Sequence, residues 1–281
     1  AGMPGMGDAG MSGMKGLPAG DGLAAEASGL RFVPAVSTLP AGRPTSFRFQ
    51  ILAGQKQRDH AFLALPEAQV PGSPGGDGTP LATFKPDQTK PMHLYLIRSD
   101  LTGFQHVHPT AEGDGTWTAP LQPVQPGSYR VYVSFITTST SDGDVPLVLS
   151  QPITVAGSSA DTPLPPPSTT TQVDGYTLTL AGELTAGAAR TLTITVSRGV
   201  APVTDLQPYL DTYAHLTAFH EGDLAFAHLH PMGATDGGEG GKGGPILPFE
   251  ATLPQAGNWR LFVQFQTAGV LHTAAVILPV G

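Results

Sequence analysis

The chain is 281 residues long, room for two domains of ordinary size, and its net charge of −8 leaves no basic run to neutralise phosphates. Nucleic-acid and anionic-membrane partners are therefore excluded, while cation binding is unopposed. The absence of cysteine excludes disulfides, thiolate zinc sites and iron–sulfur clusters, so a transition-metal site must be built from His, Met and carboxylates.

No window approaches the roughly 20 apolar residues of a membrane helix, and no membrane insertion is expected. With 36 glycines and 28 prolines against 13% charged residues, short apolar segments rich in Val, Ile, Leu, Thr, Tyr and Phe read as strands separated by turns.

Residues 1–28 carry no apolar periodicity and read as a flexible Met- and Gly-rich arm. Within it Met3, Met6, Met11 and Met14 form two M-x-x-M pairs with no core to fill. Thioethers are soft ligands that select Cu(I). A start at Ala1 followed by this polar tail reads as a mature protein after signal removal, and export to the periplasm, cell envelope or cell surface is expected.

The first module is assigned to 29–156. It opens with STLPAGRPTSFRFQI (37–51), carries an additional stretch at about 53–90 that includes His60, then HLYLIRSDLTGFQHVH (93–108), and closes on GSYRVYVSF (127–135). A Pro/Ser/Thr-rich linker occupies 157–172. The second module, 173–281, repeats the blocks in order: GELTAGAARTLTITV (182–196), HLTAFHEGDLAFAHLH (215–230), a glycine-rich loop at 233–244, and GNWRLFVQF (257–265). Such a series marks a tandem duplication. The short strands and frequent turns predict an all-β chain of two immunoglobulin-like antiparallel β-sandwiches.

In each copy a histidine precedes an H-x-H pair by thirteen residues, with turn formers midway (Arg98-Ser99-Asp100; Glu221-Gly222-Asp223). A hairpin folded about that midpoint sets His93 opposite His106 and His215 opposite His228, while His108 and His230 project from the same face two residues on. One triad per module is the expectation. Imidazole is a poor strand former and a good ligand for Cu, Zn, Ni and Fe. With the Met arm taking Cu(I), copper is favoured over zinc.

Aligning the module ends matches His272 with Leu147, which makes His272 a fourth ligand of the second site. His60 is a possible ligand of the first, Met232 a possible axial ligand, and His220, of opposite parity, reads as a solvated loop histidine. His106-x-His108-x-x-x-Glu112 resembles the metal motif of cupins, but the second copy lacks the acid. G-x-S-x-G, H-E-x-x-H and phosphate-cradling glycine loops are all absent.

The blocks MHLYLIRSDLTGFQHVHP and FEATLPQAGNWRLFVQFQTAGVLHTAAV resemble those of exported bacterial proteins with tandem immunoglobulin-like modules associated with copper. The H-x-H pair with two further histidines is similar to the centre of copper-only superoxide dismutases. That resemblance implies His228 and His230 as the pair and His215 and His272 as the remaining ligands, without the disulfide or zinc-bridging histidine. The expectations are a copper-binding envelope protein that handles metal, together with other envelope proteins as partners, or a dismutase acting on superoxide through the same ligands, or a structural module stiffened by metal. No residue is assigned a catalytic role outside those ligands, and no Lys or Arg between His215 and His230 would steer an anion.

Overall fold

The computed structural model describes residues 21–54, 78–139, 143–232 and 243–281, so Met3, Met6, Met11, Met14 and His60 lie outside the described residues. Every regular element among those described is a strand, arranged as two immunoglobulin-like β-sandwiches in tandem. Strand alternation builds each core: in Thr45–Ala53, Phe47, Phe49 and Ile51 are buried while Arg48 between them is exposed.

In the first module one sheet runs Glu26–Ala27, Leu30–Pro34, Thr45–Ala53, Thr116–Leu121, Thr110–Ala111. The facing sheet runs Thr38–Leu39, Gly143–Val155, Gly127–Ser139, His93–Arg98, Gln105–Val107, antiparallel except at Thr38–Leu39. Phe32, Phe49, Trp117, Leu94 and Val131 fill the space between them.

The second module sets Thr170–Val173, Tyr176–Ala181, Ala189–Arg198 and Ile246–Thr252 against Phe226–Pro231, Ala214–His220, Gly257–Thr267 and Val270–Val280. Its two layers are joined because Phe226–Pro231 leaves the Ala214–His220 strand and pairs through His230 and Pro231 with Glu250 and Phe249.

The histidine hairpins differ from the expected pairing by two residues. Tyr95, not His93, lies opposite His106, and Thr217, not His215, lies opposite His228. The turns are centred one residue later than the charged midpoint, because an aspartate carboxylate caps each: Asp100 accepts the Thr102 amide and Asp223 the Ala225 amide, both within about hydrogen-bond distance (3.1 and 3.0 Å). Leu101 and Leu224 take the left-handed conformation (φ 61° and 63°) that closes the turn. A shift of two preserves parity, so each triad keeps a common face.

Most of that face is covered. All six residues of His93–Arg98 are buried, Leu94 and Leu96 in the first core and Tyr95 and Ile97 in a separate cluster with Leu101, Tyr132, Phe219, Leu224, Phe226 and Phe262. This cluster is the junction between modules. Phe104 stacks on Phe262 at 4.2 Å, and the Tyr132 hydroxyl donates to the Leu224 carbonyl.

The linker is held against the same hairpin. Buried Arg98 pairs with Asp100 and donates to the carbonyls of Pro126 (3.0 Å) and Ser159 (3.1 Å), while Asp100 accepts the Thr162 amide at 2.8 Å. A Cβ on Gly127, whose φ is 139°, would lie 2.6 Å from Arg98 Nε. Gly257 repeats this device: a Cβ there would lie 2.6 Å from Nε2 of His220, which bonds to the Ala256 carbonyl at 3.0 Å. His220 is thus the counterpart of Arg98, a half-buried brace also bonded to Asp223 at 2.8 Å, and not a solvated histidine.

Candidate metal centre

The two triads stand on faces that pack against each other, so the structure gathers all six histidines along one seam in place of one site per module. Ring centroids step from His108 to His106 (4.8 Å), His106 to His215 (4.6 Å), His215 to His228 (4.6 Å) and His228 to His230 (5.1 Å), with His93 5.3 Å from His106 and 5.9 Å from His215. One ring nitrogen from each of His93, His106 and His215 lies within 4.8 Å of the others. His93 and His215 are buried, His106, His108 and His228 half-buried, and His230 exposed.

The hydrogen-bond inventory at the centre does not balance. Nε2 of His93 faces the Asp87 carbonyl oxygen at 3.0 Å, and Nδ1 of His106 faces Oε1 of Gln264 at 2.7 Å. Oxygens of this kind only accept, so each of those nitrogens donates, and a neutral imidazole has a single N–H. Nδ1 of His93 and Nε2 of His106 are then both lone pairs, yet they face each other at 3.0 Å. A cation between them resolves the conflict.

Protonation is opposed. Burial holds His106, His215 and His228 well below the usual histidine range, with neighbouring imidazoles adding to the effect, and brings His108 down to about 4. His93 is also lowered by burial, against the pull of its Asp87 bond. Nε2 of His108, both ring nitrogens of His215 and Nε2 of His228 are buried without a hydrogen-bond partner, at a cost of about 1–3 kcal/mol for each such group. Neutral imidazoles with unpaired nitrogens are metal ligands in their binding state.

These shifts predict an acid-labile metal-free protein. The five imidazoles bind protons more weakly folded than unfolded, so their contribution is present above the ordinary value near 6.5 and is lost as pH falls from there through the folded values, about 4 for His108. Urea midpoints of metal-free protein should decrease steadily from pH 7 to pH 4.5. A flat profile over that window would contradict the assignment.

His272 is not brought to the seam. It lies opposite Phe265, just as Leu147 lies opposite Phe135, and both point inward. The neighbouring Thr273 accepts Gln264 Nε2 at 3.3 Å on the seam side, which fixes the parity. His272 instead packs on Phe265 and Tyr176 and bonds to Asp174 (2.7 Å) and Thr267 (2.8 Å). The set of His215, His228, His230 and His272 is therefore not a single ligand cluster. His272→Ala should leave metal stoichiometry unchanged while lowering stability by about 0.5–3 kcal/mol through lost packing on Tyr176 and Phe265 and lost hydrogen bonds to Asp174 and Thr267, whose hydroxyl keeps the Tyr176 hydroxyl as a partner, read by metal titration and thermal melting. Met232 is half exposed, its sulfur 3.9 Å from the Thr191 hydroxyl.

Three contributors escaped the sequence reading. Gln264 sits opposite His215 on the closing strand, as Ser134 sits opposite His93. Tyr95 stacks on His106 at 4.4 Å with its buried hydroxyl unpartnered. Asp87 belongs to a tight turn bridging to Lys90, repeated at Tyr209 and Thr212. A signal existed: Pro86 and Pro208 each precede the first histidine by seven residues.

A family model described as Domain of unknown function (DUF8832) matches residues 171–281, the second module alone. No curated protein matches the chain. Among solved structures the chain is similar to the Escherichia coli adhesin FdeC, with 14% identity, a TM-score of 0.24, and 90% of this chain and 64% of that chain covered. It is similar to Yersinia pseudotuberculosis InvD at 14% identity and a TM-score of 0.25, covering 90% and 57%. The N-terminal Ig1-2 module of the Drosophila receptor protein tyrosine phosphatase DLAR follows at 8% identity and a TM-score of 0.19, covering 90% and 98%. The chain thus spans less than two thirds of the two bacterial chains. These likenesses are too slight to bear on the seam, and the architecture rests on the strand pairing itself.

Proposed function

We propose that this chain is a copper-binding protein of the cell envelope that holds its metal between its two modules, for copper handling or protection against copper stress. The observation that carries the reading is the pair of facing lone pairs on His93 and His106, with His215 beside them. A site of imidazole alone accepts Cu, Zn, Ni or Fe, and among divalent first-row ions copper binds such donors most tightly. Its ligands come from both modules, so bound metal also ties them together, which joins the handling role to a stiffening one. The place of His272 on the opposite face favours metal holding over superoxide turnover.

Metal analysis and electron paramagnetic resonance of full-length protein purified from its native envelope test the proposal. The expected result is bound copper giving a Cu(II) signal with nitrogen hyperfine structure, with copper content reduced in His93→Ala and His106→Ala. Stoichiometric zinc in place of copper would overturn the metal assignment, and copper content unchanged in both variants would overturn the site.

A further inference from the structure

Resting on that reading, we propose that the seam is a two-metal centre: one ion held by His93, His106, His108 and His215, and a second held by His215, His228 and His230, with His215 bridging through its two ring nitrogens. Such a centre differs in kind from one triad per module, because its middle ligand is shared.

Three observations lead to it. The first is a count of donors. A copper or zinc ion bound by imidazoles takes about four nitrogens; His93, His106 and His215 supply three within 4.8 Å of one another, and the His108 ring, 4.8 Å from His106 and 5.0 Å from His93, offers the fourth. His228 and His230 remain, on alternate positions of one strand and therefore on one face.

The second is the set of buried nitrogens without partners. An ion at the first position satisfies one nitrogen of His215 and Nε2 of His108. It leaves the other nitrogen of His215 and Nε2 of His228 buried and unpaired, in rings stacked at 4.6 Å. A second ion there satisfies both, and every orphaned imidazole nitrogen of the seam is then accounted for.

The third is near-twofold symmetry across the junction. Phe104 on Phe262 (4.2 Å) is matched by Phe226 on Tyr132 (5.3 Å), the same pair of positions with the modules exchanged. His93 and His215 face each other near the axis. Exchange of modules turns His93, His106 and His108 into His215, His228 and His230, so a ligand set on one side has a counterpart on the other. The symmetry is broken among the histidines, where His106 reaches His215 at 4.6 Å, and most plainly in the partners of the two central rings. Nε2 of His93 is occupied by the Asp87 carbonyl, whereas neither nitrogen of His215 has a partner. Only His215 is free to serve both ions.

The chemistry balances without a redox step. Neutral His215 carries one N–H; binding the second divalent ion releases that proton to solvent and leaves an imidazolate between the two metals. Burial, which disfavours cationic imidazole, does not oppose this loss, because the two ions supply the compensating charge.

The test is a titration of the full chain with Cu(II), followed by metal quantification after desalting and by electron paramagnetic resonance. Two copper ions per chain are expected, with integrated spin intensity below two and a half-field transition from the coupled pair. His230→Ala, a substitution at an exposed position whose fold is checked by circular dichroism, should retain one copper with full spin intensity and no half-field signal. His106→Ala should likewise retain one, and His215→Leu none. One copper per chain in the unsubstituted protein, lost in His93→Ala but unaffected by His230→Ala, would overturn the two-metal centre and leave the single junction site standing. Copper binding unchanged by both His93→Ala and His215→Leu would overturn the junction site as well.

Discussion

Replacing His215 by leucine is expected to abolish copper binding at the junction, weakening it at least about 100-fold, while leaving the metal-free protein as stable as before or more so. The two effects have opposite signs because, in the proposed centre, the imidazole serves the metal and not the fold. His215 is buried with both nitrogens unpartnered, and a buried polar group in that state costs about 1–3 kcal/mol. Leucine has similar volume and no polar atom, so packing is kept and the penalty removed. With metal the balance reverses: a ligand that binds only the folded state raises stability by RT ln(1 + [L]/Kd), about 2.7 kcal/mol at a hundredfold excess over Kd. Thermal melting with and without Cu(II) reads both halves. A copper-induced rise in melting temperature that persists in His215→Leu would refute a role for this residue.

Phe219→Ala is expected to cost about 3–5 kcal/mol, the range for a fully buried aromatic, and to weaken copper binding without touching a ligand. Phe219 is fully buried and contacts Phe104 and Tyr132 of the first module as well as Phe226 and Phe262 of its own. Its loss opens a cavity at the junction, and the seam's ligands come from both sides of that junction. Calorimetry should resolve one unfolding transition into two, because the modules then melt separately. A single transition at the original temperature would mean that the aromatic cluster does not couple them.

The strand content was legible because alternation in segments such as Thr45–Ala53 is a direct consequence of the two-residue strand period. Parity was legible for the same reason: His93, His106 and His108 fall on one face whichever of two registers the hairpin adopts. The register itself was not, since it depended on Asp100 and Asp223 capping their turns and on Leu101 and Leu224 accepting positive φ, which their side chains do not advertise.

The meeting of the two triads was missed for a different reason. Ligand spacing in the histidine strands says nothing of what covers them, but Tyr95, Ile97, Phe219 and Phe226 share the histidines' parity and are too apolar for a solvated face. An apolar outward face, present in both copies, was the sign that the copies cover each other. The match of His272 with Leu147 carries the opposite meaning from a ligand role, because Leu147 packs against the first core and His272 points inward with it.

A face that meets its own duplicate about a twofold axis is self-complementary, as in the isologous contact of a homodimer. A single-module ancestor bearing this hairpin would have presented the same three imidazoles to a second copy of itself. Fusion through the segment now pinned by Arg98 makes that encounter intramolecular, so the assembly no longer falls apart on dilution. It also releases the halves from identity: one copy ties its histidine to the Asp87 carbonyl while the other leaves both nitrogens of His215 without a partner.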